Sequence, residues 1–392
     1  MTDATTDRLV RLLLELVDQP CVTGHEKPIA DWLVARYEAL GERVDRVANS
    51  LVVGAPGEGE RQRAGGRGSH EGERQRAGGR GSQQDDRPVV LLVGHIDVVP
   101  PAVGDLPGRI DGDRVVGRGT SDMKAGLAVA MDVFEDAALR DGPFRLQLVA
   151  YAGEEGPADG NELGPLLQER PQLAEAALGI VLEPTDLEVQ LGCMGGLHAQ
   201  VTVRGRAAHS ARPWQGVNAL TAAAPLLAAL AAHGPVDRRV DGLAFRDVLT
   251  ATGGWTDNAR NVVPDRFTVN VNLRFAPDRT LEEAEAELRV LLAEIGGTDL
   301  DVEVVDRAPP APPHRGHPYV QSMVAAAGGR VAAKQAWTDV ARLAAAGVPA
   351  LNYGPGLTGQ AHQAGEHVPV ANLERARAVL TTFLTAGSHD GG

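Results

Sequence analysis

Cysteine is nearly absent from this chain of 392 residues: Cys21 and Cys193 are the only two. Two thiols so far apart build neither a disulfide framework nor a cysteine-rich zinc site. Aromatic residues make up only 4% of the chain, which suits helices packed on sheets better than a stacking surface for nucleic acid. Positive charge is not in excess either. Against 38 Lys and Arg stand 52 Asp and Glu, a formal charge of −14, so phosphate backbones and anionic membranes are repelled and neither is expected as a partner. No apolar run is long enough to span a bilayer. The opening MTDATTDRLVRLLLELV lacks a basic leader region and a small-residue cleavage site. It reads as an amphipathic helix with acids in its first turn, and a cytoplasmic location is expected.

What is present is 43% apolar residues over a length that exceeds one ordinary hydrophobic core, so two domains are expected. Apolar spacing predicts helices over 6–17 and 26–40 and a short strand at 50–54. Then EGERQRAGGRGSH (58–70) is followed by a near copy, EGERQRAGGRGSQ (71–83), differing only at His70 and Gln83. The tandem is polar and rich in Gly, so residues 57–87 are read as a disordered loop. An arginine-rich binding tail is the other reading, but the glutamates offset much of its charge.

Beyond the loop the pattern alternates. Strand 88–94, helix 122–139, strand 145–151, a helix near 162–169 and strand 177–182 imply a mostly parallel sheet covered by helices. The texture changes near 190. Half-exposed strands at 197–204, 246–253, 262–274 and 300–305, with helices at 216–232 and 280–295, suggest a small α+β domain with an antiparallel sheet. The run APPAPPHRGHP (308–318) reads as a return linker. Helices at 318–327, 339–346 and 371–386 and strand 348–353 complete the larger domain. The expected division is therefore 1–193 and 307–392 for an α/β domain, interrupted by 194–306.

Five segments carry chemistry together: GHIDVVP (94–100), GRGTSDMKAG (117–126), YAGEEG (151–156), VLEPT (181–185) and AHQAGEH (361–367). Alone, His95 could be a satisfied polar residue, Asp122 a helix cap, Glu154 and Glu155 a solvated turn, and His362 a surface residue. Three of the segments, however, lie just past the carboxyl ends of predicted parallel strands, and Asp122 is placed at the start of the following helix. Ligands bind at that edge of an open α/β sheet. Acidic and imidazole groups converging there call for a cation. Histidines and carboxylates without thiolate suit zinc, with cobalt or manganese as substitutes. Two histidines and three carboxylates are too many for one tetrahedral ion and fit a pair sharing a bridging carboxylate. Asp97, two residues along an extended chain from His95, is placed to hold the imidazole. Glu154 and Glu155 are expected to point in different directions, one to metal and one to substrate.

As a set these motifs resemble the two-zinc aminoacylase, carboxypeptidase and desuccinylase family, over nearly the whole chain apart from the tandem loop. The resemblance implies two zinc ions per subunit, cobalt being a possible substitute. Asp122 would bridge them, with His95 and Glu183 at one ion and Glu155 and His362 at the other. It further implies Glu154 as general base and Asp97 as the orienting residue. The inserted domain would mediate homodimerisation. Its segment GRAAHSARPWQGVNA (205–219) would bring His209 to the active site of the second subunit as oxyanion donor. Arg274 in NLRFAPD and Asn261 in ARNVVPD would hold a substrate carboxylate, and Thr338 in AWTDV would touch the substrate. The desuccinylase branch is the most similar, which implies hydrolysis of N-succinyl-LL-2,6-diaminopimelate to succinate and the diamino acid. An N-acetylornithine deacetylase, or another hydrolase of small N-acyl amino acids, is the alternative. A non-catalytic metal- or peptide-binding relative is the reading from another class; a retained base at Glu154 argues against it. Ile96 departs from the Thr common between the His and Asp, and the tandem loop has no family counterpart.

Overall fold

The run VVLLVGH forms a strand, Val89–His95, buried throughout except for its first residue. A strand apolar on both faces belongs in the middle of a sheet. It pairs in parallel with Arg145–Tyr151 on one side and Leu178–Val181 on the other. Strand Ser50–Val53 adds antiparallel to Arg145–Tyr151, and Val44–Val47 closes that edge as its hairpin partner. The computed structural model describes residues 3–54, 85–296 and 300–386. Of the loop expected over 57–87, all but Asp85, Asp86 and Arg87 lies outside the described residues. Arg87 donates to the carbonyls of Arg140 and Gly142, both at 2.7 Å, and so anchors the entry to the central strand.

The described residues fall into two compact units. The first draws on Met1–Leu187, Gln321–Gly329 and Tyr353–Gly392. Beside its sheet lies helix Ala125–Glu135, in which every residue from Ala125 to Phe134 is buried. A helix apolar all round must be covered on all sides. Helices Asp3–Val17 and Val370–Ala386 both pack on it. Its buried Asp132 is matched by Arg8 at 3.0 Å and Arg377 at 2.6 Å. Leu9, Leu12, Leu13, Leu16 and Val17 of the first helix are buried. Among the described residues no helix is long and apolar enough to cross a membrane.

The second unit draws on Glu188–Val320 and Arg330–Asn352. Its antiparallel sheet runs Val236–Val240, Leu243–Trp255, Arg266–Phe275, Gly195–Arg204, Leu300–Ala308 in spatial order. Leu197, Ala199, Val201, Val269, Val271, Leu273 and Phe275 form one core with helices Ala224–Ala232 and Leu281–Gly296. The alternate positions, among them His198, Asn270, Asn272 and Arg274, are half-buried, the period of two expected of strands packed on one side. The expected mixture of a mostly parallel α/β sheet and a separate antiparallel sheet is what the chain adopts.

Three local readings are corrected. Helix 216–232 is two pieces, Ala219–Ala222 and Ala224–Ala232, and Pro225 lies in the first turn of the second, where its missing N–H costs little. Four strands were expected in the small sheet and there are five. The missed one, Val236–Val240, pairs with Leu243–Trp255 across Asp241-Gly242, both at positive φ. Asp-Gly is the two-residue hairpin signal that identifies it. The helix expected from 122 begins at Ala125.

Candidate metal centre and active site

Asp122 is not helical. It lies on the turn Thr120–Lys124 with φ −118° and ψ 96°, and its peptide bond to Met123 is cis. Gly119 opens this turn at φ 81°, and a Cβ there would sit 2.5 Å from Val98 Cγ1. Only glycine fits that conformation and that space. The turn directs the two oxygens of Asp122 to two histidines. Oδ1 lies 3.3 Å from His95 Nε2, and Oδ2 lies 3.7 Å from His362 Nε2. Each imidazole has its own second carboxylate: Glu183 Oε1 at 3.9 Å from His95 Nε2, and Glu155 Oε2 at 2.8 Å from His362 Nε2.

The strands explain the convergence. His95 is the last residue of the central strand, Glu154 and Glu155 follow the strand ending at Tyr151, and Glu183 follows the one ending at Val181. All three positions are at carboxyl ends of parallel strands, as expected. Gly153, at φ 79°, turns the chain where a Cβ would meet the Gly160 carbonyl oxygen at 2.1 Å. Glu154 and Glu155 therefore sit on a turn, where strand alternation does not apply. A carboxylate oxygen of each and a ring nitrogen of His95 lie within 4.8 Å of one another.

Asp97 is fully buried beneath this cluster. Its carboxylate accepts from the backbone N–H of Glu154 at 3.1 Å and of Glu155 at 3.0 Å, and from Thr23 Oγ1 at 3.0 Å. The Asp97 backbone carbonyl is the nearer partner of His95 Nδ1, at 3.0 Å, with its carboxylate at 3.6 Å. The imidazole is thus held by the Asp97 main chain, and its side chain fixes the glutamate turn instead. Sequence spacing showed the proximity but not this division of labour.

The electrostatics favour a cation. Burial, the largest influence on His95, lowers its pKa, yet Asp122, Asp97 and the charge of Glu154 together raise it well above the ordinary value. Burial pushes Glu155 up, with the charge of Asp122 adding to it against the pull of His95. Burial would also raise Asp97, but the nearby His95 and the two glutamate N–H groups hold it below its ordinary range. A field that draws a proton onto a buried imidazole suits divalent ions. Three groups of donors, His95 with Asp122 and Glu183, Asp122 with Glu155 and His362, and His95 with Glu154 and Glu155, each have their ligand atoms within 4.8 Å. The donors are oxygen and imidazole nitrogen, a set that suits zinc.

The other four candidates belong to the second unit. His209 is exposed, and Ala211 N–H donates to its Nδ1 at 3.0 Å. It pairs with Val262 in a two-stranded ladder, and Ser210 N donates to the Asn261 carbonyl at 2.8 Å, so His209 and Asn261 are neighbours. Arg274 is half-buried over Gly196, where a Cβ would lie 2.9 Å from its Nη1. Thr338 is buried, and its hydroxyl donates to Asn352 Oδ1 at 2.9 Å.

Comparisons with known proteins agree with this geometry. Residues 91–386 match peptidase family M20/M25/M40. The chain belongs to that family. A succinyl-diaminopimelate desuccinylase of Corynebacterium glutamicum is 35% identical over 380 residues, covering 95% of each chain. A Mycobacterium tuberculosis protein that carries the same name provisionally is 40% identical over 295 residues, 75% of this chain and 82% of that one. Among solved structures, aminopeptidase PepT of Bacillus cereus superposes with a TM-score of 0.72 at 22% identity, covering 97% of this chain and 98% of that one. The YXEP protein of Bacillus subtilis, described as a dinuclear metal-binding peptidase of the M20 family, gives 0.65 at 14% identity, covering 98% and 99%. These two share the fold. The chain is a metal-dependent hydrolase whose substrate is a small molecule.

Proposed function

We propose that this enzyme hydrolyses the amide bond of N-succinyl-LL-2,6-diaminopimelate, releasing succinate and LL-2,6-diaminopimelate. The observation that carries the hydrolytic reading is the placement of Asp122 between two histidines, each with a further carboxylate of its own. Such a set fits two zinc ions, cobalt being a possible substitute: His95 and Glu183 on one, Glu155 and His362 on the other, Asp122 shared. Bound there, the ions would lower the pKa of an attacking water and draw electron density from the amide carbonyl. Glu154, beside them on the turn fixed by Asp97, takes the water proton and returns it to the leaving amine nitrogen. His209, supplied by a second subunit of a homodimer built on the inserted domain, donates to the developing oxyanion. Arg274 and Asn261 hold the substrate carboxylate. Thr338, with its hydroxyl engaged by Asn352, gains no support as a substrate contact.

The choice of acyl group and amino acid rests on the two relatives named for this reaction. A substrate panel tests it. N-succinyl-LL-2,6-diaminopimelate is expected to exceed N-acetylornithine in kcat/KM by about 100-fold or more, because an enzyme that pairs the succinyl carboxylate leaves those polar partners unsatisfied when an acetyl group takes its place. A preference for N-acetylornithine would reassign the enzyme as a deacetylase.

The shared site has its own test. A His209→Ala subunit and a Glu154→Ala subunit, co-expressed with different tags, are expected to give heterodimers far more active than either parent, because one site regains both residues. Heterodimers no more active than the parents would remove His209 from the second subunit's chemistry.

A further inference from the structure

Glu366 stands four residues beyond His362 and is almost wholly buried. Its carboxylate points at the turn that carries Asp122. Oε1 accepts the backbone N–H of Ser121 at 2.8 Å and of Asp122 at 2.9 Å. Oε2 accepts the N–H of Gly119 at 2.8 Å and Arg118 Nη1 at 2.9 Å. Four donors therefore meet one side chain. The other end of the Arg118 guanidinium reaches Asp105 at 2.9 Å, and Asp105 in turn accepts Gly365 N–H at 2.9 Å. Asp105, Arg118 and Glu366 form a buried chain of charges, none more than 4% exposed. The same two segments are stitched again by Gly117 N–H to the Glu366 carbonyl at 2.9 Å and Ser121 Oγ to the His367 carbonyl at 2.8 Å.

We propose that Glu366 is a positioning residue for the metal centre, holding the turn at 119–122 so that Asp122 presents one oxygen to each histidine. The inference rests on the reading of Asp122 as the shared ligand. The turn is closed by Lys124 N–H to the Gly119 carbonyl at 2.8 Å, but Asp122 and Met123 have non-helical dihedrals and the amides of Gly119, Ser121 and Asp122 point away from that bond to Glu366. Its amide donors need an acceptor from elsewhere in the chain, and Glu366 supplies two oxygens in the one geometry that fits. A carboxylate added next to an already acidic cluster is unfavourable unless it is matched, and Arg118 matches it. Because Glu366 and His362 lie on one short segment, the clamp also ties the loop bearing His362 to the turn bearing Asp122. Ligand geometry must hold to within about 0.5 Å for tight binding, and partners that orient ligands change metal affinity by about 10–100-fold when lost.

The test is titration of zinc into the chelator-stripped protein against a chromogenic competitor. Glu366→Gln keeps the shape but turns an amide NH₂ toward two of the donors. It is expected to weaken zinc binding by about 10–100-fold, with Glu366→Asp recovering part of the loss and excess zinc recovering much of kcat. Asp122→Asn, the direct ligand change, is expected to weaken it further. A folded Glu366→Gln protein with zinc affinity within twofold of wild type would overturn the proposal, even if its thermal stability fell. Should that variant not fold, Asp105→Asn carries the test: it loosens Arg118 without touching Glu366, and unchanged zinc affinity there counts equally against the clamp. If Asp122→Asn itself leaves zinc affinity intact, the metal-site reading fails rather than the clamp.

Discussion

Replacing Glu154 by Gln is expected to lower kcat by about 10²–10⁴-fold, the range lost with a general base, while the zinc content stays at the wild-type level. The expectation follows from where the side chain sits. Its backbone N–H donates to Asp97 at 3.1 Å, an anchor that the substitution leaves untouched, so the amide of Gln should occupy the same place without accepting a proton. His95, Asp122, Glu183, Glu155 and His362 remain as a donor set. KM should change little, because a proton acceptor acts in the transition state more than in substrate binding. Steady-state kinetics with metal analysis on the same preparation reads both quantities. Near-normal turnover would show that another group takes the proton; loss of metal in parallel would make Glu154 a ligand, which its place in one donor group with His95 and Glu155 makes a meaningful alternative outcome.

Asp122→Asn should have the second large effect, of a different kind. Asp122 is the residue that appears in both outer donor groups, one with His95 and Glu183 and one with Glu155 and His362. Removing its charge is expected to deplete metal from both positions after dialysis, to a greater extent than the about 10–100-fold loss typical of an orienting partner, with activity falling to background. His362→Ala, by contrast, should weaken one position and spare the other. Metal stoichiometry by elemental analysis separates the two patterns. Two tightly held ions in folded Asp122→Asn protein would mean that the carboxylate is not shared.

Much of this centre could be read along the chain because strand ends are legible there. The continuous apolar run before His95, and the similar runs before Glu154 and Glu183, place those side chains at one edge of a sheet from the sequence alone. Where the reading failed, the backbone left regular structure. Asp122 looked like the first residue of a helix, since Ser-Asp before an apolar run is a usual cap; the turn 119–122 held by Glu366 is invisible to such a pattern. Strand alternation says nothing about Glu154 and Glu155, which lie on a turn opened by Gly153. The strand Val236–Val240 has no apolar pattern, VDRRV being mostly charged, and only the Asp-Gly after it marks the hairpin.

From composition, apolar period and motif content the chain alone determined an α/β sheet with a separate antiparallel sheet, a site without thiolate, and the acidic and imidazole side chains that meet at the strand ends. Tertiary structure alone decided which carboxylate faces which imidazole, that Asp97 holds His95 through its main chain, and that Glu366 grips a turn 244 positions away. The reason is physical. Period and propensity describe a residue's relation to its near neighbours, whereas the direction of a side chain on a turn is set by hydrogen bonds to distant segments, and no local pattern encodes those.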